Sequence, residues 1–580
     1  LISTLKVARR DLLLRCAVLA VLAALPLLGS TYHTSMMVIV GIHTMVTVGL
    51  CLLMGYTGQV SLGHAAFYGL GAFFSGVLSA TYGVQPWIAM ALAAAITAVV
   101  AYGTALPMFR LRGHYLAMGT LGFGIIVYIL FVELDQFTGG PSGLSGIPTL
   151  FIGPVEFDTD LEFYYLAWLF CLGTLLLSQN IVNSRVGRAL RAVHGNEEAA
   201  RSLGVDISQF KMKVFVLSAV YASLAGSLYA HYTGFISPQP FGFLFSIRLV
   251  VMVVVGGLAS VWGAIFGTAT ITFLSDLLQG LRRDGHCGLW ADPHPGHGLS
   301  ASGSVPHLRH PVRDPHEAGG IGEVKMAIAL EVRDVRKQFG GLVALDGVSL
   351  EAHFSEVTAV IGPNGAGKTT LFNVIAGVHR LTSGEVYLLD NPLGERPPQE
   401  RVRMGIARTF QSALLFGNMT VLENVMVGRH TRSRCGFLAA ALRTPAFRRE
   451  EEEIYLQSMR YLNLVGLGTK ARENAGGIPF GQQRLLAIAR ALATEPHVLM
   501  LDEPGAGLNS LEKTELGELI ARLRETGLAI LLVEHDMELV MHSADRVVVL
   551  DFGQKIAEGT PAEIQANRKV ITAYLGEEVE

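Results

Sequence analysis

VTAVIGPNGAGKTT, residues 357–370, decides half of the fold. A short β-branched run leads into Gly362-x4-Gly367-Lys368-Thr369, and strand–loop–helix is the context a Walker A loop requires. The glycines let backbone N–H groups wrap a β-phosphate, Lys368 reaches the β/γ oxygens, and Thr369 holds Mg²⁺. A chance glycine-rich turn is the bland alternative, and the second half of the site removes it. VLMLDEP, residues 498–504, reads as a buried strand ending in Asp502 and Glu503. Asp502 is expected to hold Mg²⁺ through water, and Glu503 to polarise an attacking water.

Between and around these two stretches stand further motifs. Gln411 ends ARTFQ, Ile478-Pro479-Phe480-Gly481-Gln482 precedes QRLLAIARALA, His535 ends the apolar run AILLVEH, and Phe339 lies 23 residues before Gly362. Together they resemble the ABC ATPases. The resemblance implies a Q-loop at Gln411, which senses γ-phosphate and Mg²⁺ and contacts a permease. It also implies a signature at 478–482, a switch histidine at His535, and an aromatic at Phe339 stacking on adenine. The nucleotide set is then Phe339, Gly362, Asn364, Gly365, Gly367, Lys368, Thr369, Thr370, Gly481 and Gln482. The catalytic set is Glu503, His535 and Gln411, the metal set Thr369, Gln411 and Asp502, and the cofactors ATP and Mg²⁺. Pro479 and Phe480 replace the usual Ser and Gly, Asn509 replaces the commoner Asp of the D-loop, and Ser355 stands where a turn glycine is usual. ARTFQ, VEHDM and KVITAYLGEE are similar to the LivG-like subunit of branched-chain amino acid importers over 327–580, where Pro-Tyr-Gly-Gln signatures are common.

Outward from this domain the composition changes. The whole chain of 580 residues is 51% hydrophobic and 16% charged. Residues 1–279 hold three lysines, Lys6, Lys211 and Lys213, whereas 327–580 mix charges of both signs. The net charge of −3 gives no case for nucleic acid as a partner, and five scattered cysteines exclude a secreted disulfide framework. Crossing a bilayer takes roughly 17–25 apolar residues. Such runs lie at 12–30, 36–54, 63–80, 86–108, 115–132, 162–178 and 213–232, and the stretch 246–278, interrupted by Gly256, Gly257, Gly263 and Gly267, divides into two. The run at 12–30 reads as an uncleaved first helix rather than a signal peptide. The chain opens on Leu1, so a missing start or a non-ATG codon is expected.

Loop charges orient the spans. The N-terminal tail, the 109–114 turn and the 179–212 loop carry Lys and Arg, whereas 133–161 carries none and has Glu133, Asp135, Glu156, Asp158 and Asp160. An inside N-terminus satisfies every loop and puts 179–212 inside. In that loop Glu198-Ala199-Ala200 is followed by Gly204. The pattern resembles the EAA loop of ABC-importer permeases, which implies a short helix at about 185–212 docking on the ATPase; an ordinary solvated loop is the alternative. GYTGQVSLGHAAFYGLGAF (55–73), LRGHYLAMGTLGFG (111–124) and VVVGGLASVWGAIFG (253–267) are similar to the LivM-like permeases of the same importers. His64, His114 and His231 invite a proton-relay reading, but packing or helix-end histidines are the preferred one.

The join, 280–326, is rich in His, Pro, Gly and Arg without apolar period. It reads as a flexible linker, a metal tract or, preferably, a shifted reading frame. Plausible codons for DGHCGLWADPHPGH (284–297), moved by one base, encode MVIVVCGLILILVM, a membrane span. Gly-Glu-Val-Lys before Met326 can also be written as a ribosome site. With nine spans and an inside start, the permease part ends outside, and a tenth span returns the chain to the ATP-bearing side.

The expected architecture is therefore a polytopic α-helical membrane domain (1–279) plus an α/β P-loop ABC ATPase domain (327–580) in an inner membrane. The ATPase domain is cytoplasmic. The resemblance implies import of a branched-chain or other hydrophobic amino acid. It also implies a second homologous permease, a second ABC ATPase subunit and an extracytoplasmic substrate-binding protein. A urea or short-amide importer is the nearest alternative, and an ABC ATPase misjoined to an unrelated membrane protein is the other. An exporter fits less well, since exporters lack an EAA loop.

Overall fold

The first half is built from helices because its uncharged runs offer no polar face, and in lipid only intrahelical hydrogen bonds satisfy such a backbone. The computed structural model of the chain describes residues 24–26, 30–111, 113–284 and 327–575. Four long helices come first: α1 (Thr31–Thr57), α2 (His64–Ala80), α3 (Pro86–Met108) and α4 (His114–Glu133). After the acidic loop come α5 (Asp160–Val182), α6 (Arg185–Gly195), α7 (Glu197–Arg201) and α8 (Ile207–Thr233). The membrane part closes with α9 (Phe243–Gly256) and α10 (Gly263–Asp284).

Of these, α1, α3, α4, α5 and α8 are long and apolar enough to cross a membrane. The most apolar window of α1 is 89% buried and that of α4 only 22%, so α1 sits at the centre of the bundle and α4 at its rim. A Cβ on Gly226 of α8 would lie 1.8 Å from the Tyr68 carbonyl oxygen of α2, so glycine is what lets these two backbones touch.

The stretch 246–278 is two helices, as expected, and Gly257 breaks them at φ +96°. The expected edge of the membrane part at 279 is exceeded, because α10 runs on to Asp284; 280–284 hold no proline to stop the helix. The expected span at 12–30 lies outside the described residues except for a helical piece at 24–26, and the join beyond Asp284 lies wholly outside them.

Hydrogen bonds fix the two ends of the bundle. Ser35 on α1 and Tyr232 on α8 both donate to Asp160, at 2.6 and 2.7 Å, in the acidic-loop end. Tyr32 donates to Asp276 at that same end. At the opposite end Gly55 of α1 accepts from His194 of α6 at 3.0 Å, and there the ATPase docks. The last described turns of α10 therefore lie at the end of the bundle away from the ATPase that follows in sequence.

The second half holds two sheets. One pairs β1 (Ile328–Phe339), β2 (Leu342–His353), β4 (Ser383–Leu388) and β5 (Asn391–Pro392) in the order β2-β1-β4-β5. The other comprises β3 (Val357–Ile361), β6 (Ile406–Arg408), β7 (Val498–Asp502), β8 (Ala529–Val533), β9 (Arg546–Asp551) and β10 (Gln554–Gly559). Its order is β6-β7-β8-β3-β9-β10, parallel except for the β10 edge. Every residue of β3, β7 and β8 is buried, as befits central strands covered on both faces.

Candidate functional site

Four adjacent parallel strands, β6, β7, β8 and β3, aim their C-terminal ends at one place, where open α/β sheets bind ligands. Gln411 follows β6, Asp502 and Glu503 end β7, His535 follows β8, and the Gly362–Lys368 loop follows β3. That loop leads into α11 (Lys368–Ile375). A Cβ on Gly362 would meet the Leu550 carbonyl oxygen at 2.1 Å, so only glycine fits against β9. Gly365 stands at φ +86° with open space above it, leaving its backbone exposed as an anion cradle.

Lys368 is nearly buried and donates to the carbonyls of Gly362 and Pro363 at 2.7 and 3.0 Å. Burial lowers its pKa, and the carboxylates of Glu503 and Asp502 pull the other way. An ammonium lying across its own loop is held where phosphate oxygens would take it from neutral carbonyls. Thr369 and Asn364 are exposed at the loop, and Thr370 and Gly367 are half-buried. Glu503 sits at φ +45°, a strained backbone for a non-glycine residue. Its Oε2 accepts from Gln411 Nε2 at 2.7 Å, and His535 Nδ1 lies 3.8 Å from the same oxygen. Gln411, Glu503 and His535 are thus one cluster. The loop geometry and these carboxylates fit Mg²⁺-ATP: Thr369 and Asp502 would hold the metal, and the loop amides with Lys368 the phosphates. The metal would supply charge neutralisation at the phosphates.

Phe339 is 42% exposed, edge-on to His379, with the Lys337 ammonium over one face of its ring at 4.6 Å. Gly481 and Gln482 lie elsewhere, at the start of α15. Before it the chain forms α12 (Val421–Gly428), α13 (Phe437–Leu442) and α14 (Pro445–Leu464); α15 is Phe480–Leu492, followed by α16 (Ser510–Glu525). A Cβ on Gly481 would meet the Glu512 carboxylate of α16, and Gln482 accepts from Lys470 at 2.8 Å. Phe480 packs its ring against Gly507, and Asn509 caps α16 by accepting from the Glu512 amide. Ser355, in the place of a turn glycine, stands at φ +58°.

Two residues of the site were not singled out from sequence. Arg408 donates to Asp502 Oδ2 at 2.7 Å and to Asn373 Oδ1 at 2.6 Å, holding the Walker B carboxylate in place. Its signal was its position inside the buried strand β6, where an arginine needs a partner. Glu534 is fully buried and accepts from the amides of Gly505 at 2.6 Å and His535 at 3.2 Å. Burial raises its pKa against those hydrogen bonds. It ties the turn after Glu503 to the histidine loop.

The candidate coupling loop is helical and packs on the ATPase domain. Ala199 and Ala200 are fully buried, and Gly204 turns the chain at φ +82°. A Cβ there would lie 2.2 Å from Thr431 Cγ2. Glu198 is exposed and makes no side-chain hydrogen bond or ion pair among the described residues. Charge holds the contact. Arg188 makes a two-pronged pair with Glu451 at 2.9 and 3.0 Å, and Arg191 pairs with Glu423 at 2.8 Å. Burial alone would raise the Glu423 carboxyl, but the bond and charge of Arg191 and the Thr420 cap hold it below the ordinary carboxylate range. Arg185 reaches the Cys435 carbonyl, Asn180 donates to that of Ala441 at 2.8 Å, and Phe210 sits edge-on to His430. Sequence reading counted these arginines for topology only. The acidic run Glu450–Glu453 was the available signal of a complementary partner.

His64 bonds Ser61 and Ser218, each at 2.9 Å, and His231 bonds Ser75 and the Pro148 carbonyl. Both are satisfied packing residues, and His114 is exposed at the start of α4.

Residues 32–283 match the family described as branched-chain amino acid transport system / permease component. Residues 345–506 match ABC transporter, and 554–580 match branched-chain amino acid ATP-binding cassette transporter. The high-affinity branched-chain amino acid transport ATP-binding protein LivG of Salmonella typhimurium is 47% identical over 43% of this chain and 98% of its own length. The chain belongs to the branched-chain amino acid ABC transporter family. BraF of Pseudomonas aeruginosa, also a high-affinity branched-chain amino acid transport ATP-binding protein, is 46% identical over 43% of this chain and 98% of its own. A solved nucleotide-free ATP-binding cassette from an ABC transporter is 33% identical, covers 43% of this chain and all of its own, and superposes with a TM-score of 0.39. The chain is thus a family permease and its ATP-hydrolysing cassette in one polypeptide, with the cassette on the cytoplasmic side of a membrane.

Proposed function

We propose that the chain is the permease-plus-ATPase component of an importer that uses ATP to bring branched-chain amino acids across an inner membrane. The observation that carries this reading is the coupling interface, where a basic permease loop meets acidic ATPase helices at Arg188–Glu451 and Arg191–Glu423. Such matched pairing argues against two unrelated proteins misjoined. LivG and BraF, both branched-chain amino acid transport ATP-binding proteins, favour branched-chain amino acids over urea or a short amide.

Gly481 and Gln482 contact α16 and Lys470, away from Lys368 of the same chain. We assign them to the nucleotide of a second ATPase subunit, paired head to tail. Closure on Mg²⁺-ATP would draw the α6–α7 loops together, and hydrolysis at Glu503 would reset them; the bound nucleotide favours the closed state because only there does it gain the second contact. A second permease and an extracytoplasmic binding protein complete the assembly. Residues 1–279, with α10 continuing to Asp284, and 327–580 are the two domains, and the remainder up to 326 is read as a join in which a shifted frame has replaced a final span. The test is binding-protein-dependent uptake in proteoliposomes with leucine, isoleucine, valine, other amino acids and urea. Uptake of urea but no amino acid would replace the substrate assignment.

A further inference from the structure

A second polar cluster lies at the acidic-loop end of the bundle, among α1, α8, α9 and α10. A cavity of about 310 Å³ opens there, near the low end of small-ligand sites. Helix register sets its layers. Gly256 lies against Gly263 and Gly267 against Met252, so α9 and α10 run antiparallel and Arg248 falls level with Thr272. Thr47 and Thr268 hydroxyls are 2.9 Å apart, which brings His43, one turn outward on α1, to that same layer. Asp276, bonded by Tyr32, stands one further turn outward, about 6 Å along the helix.

Three observations mark this cavity as a binding site. Arg248 lines it and makes no ion pair among the described residues. An unpaired arginine on a membrane helix is costly, and such groups mark substrate pathways. His43 Nδ1 and Thr272 Oγ1, both on the cavity wall, are buried without a hydrogen-bond partner. Buried polar atoms are nearly always paired, so two orphans in one layer call for a polar ligand. The remaining wall includes Met36, Ile39 and Met252, which are apolar.

We infer that this cavity is the permease's subsite for a zwitterionic α-amino acid with an aliphatic side chain. The guanidinium of Arg248 takes the α-carboxylate, and the carboxylate of Asp276 takes the α-ammonium. His43 and Thr272 complete the polar contacts, and the side chain lies on Met36, Ile39 and Met252. The assignment rests on the importer reading above and sharpens it. Urea carries neither charge and would leave Arg248 and Asp276 unpaired.

The test uses the full complex with its partner subunits and binding protein in proteoliposomes. Absence of leucine uptake by the wild type would strike the importer reading itself. With wild-type uptake established, Arg248→Gln and Asp276→Asn are expected to lower uptake at subsaturating leucine at least tenfold, and Arg248→Lys to recover part of it. Uptake by both neutral variants within twofold of wild type would overturn the inference. Accessibility gives a readout that survives poor assembly of those variants. In complexes carrying Ser275→Cys, saturating L-leucine should slow labelling of the introduced thiol by an impermeant maleimide at least threefold. 4-Methylpentanamide, which lacks both charges, should not. Equal protection by the two compounds, or by neither, overturns the site, as does protection by anionic lipid alone.

Discussion

Arg188→Ala removes the best-buried ion pair between permease and ATPase. The Arg188 and Glu451 side chains are 7% and 18% exposed, and the pair has two hydrogen bonds. Breaking such a pair from one side costs about 3–5 kcal/mol, mostly from the carboxylate left behind. Here Glu451 keeps the Arg185 amide at 2.8 Å, so the loss falls to about 2–3 kcal/mol. At about 1.36 kcal/mol per tenfold, the docked state becomes ~30- to 150-fold less favoured. Undocking opens this interface locally and need not separate the two halves. Amide hydrogen exchange across 185–201 reads it directly, and the amino acid moved per ATP hydrolysed reads its consequence. Exchange should quicken by that factor, while uptake per ATP falls. Glu451→Ala should do the same, and the double variant should be milder than the sum of the two. Exchange within twofold of wild type, or strictly additive effects in the cycle, would refute the reasoning.

Glu503→Gln should abolish ATP turnover while nucleotide binding persists, whereas Lys368→Ala should lose binding as well; equilibrium nucleotide binding and phosphate release separate the two. Gly204→Val should uncouple hydrolysis from uptake, since φ +82° and a methyl 2.2 Å away both exclude a branched side chain, while Glu198→Trp, at an exposed position, should be milder. For His430, burial and then the charges of Arg185, Arg403, Arg188 and Lys213 push the pKa down to about 3. A base whose pKa falls on folding binds protons better when unfolded, so stability is lost as pH drops from about 6.5 towards 3, by about 2 kcal/mol at pH 5. Thermal unfolding at pH 7 and pH 5 should show this loss, and His430→Phe should flatten it. Resequencing DNA across codons 280–326 should reveal a shifted frame and two products meeting near Met326; a continuous frame with a single product of 62.4 kDa would refute it.

The candidate nucleotide site was legible in sequence because the residues that cluster there stand in a fixed chain order of motifs. A strand must end at Asp502, and glycines must stand at 362 and 367 for the loop to form at all. Most membrane helices were legible for a like reason, since lipid demands long apolar runs. Helix edges were less so: 162–178 is observed as Asp160–Val182 because the Thr159 capping box with Glu162 starts the helix earlier than hydropathy does. Pairings across hundreds of residues were not legible. Arg188 and Glu451, or Arg191 and Glu423, look like any surface or loop charges until the helices are packed. Hydropathy counts charges but does not say which face of a helix they occupy, nor which helix lies opposite. The sequence by itself determined that there is a P-loop cassette, a polytopic permease and a loop to join them. Only the tertiary structure decided which arginine holds Asp502, which charges close the interface and where an unpaired arginine meets an open cavity, because those are relations between elements that local propensity and periodicity do not encode.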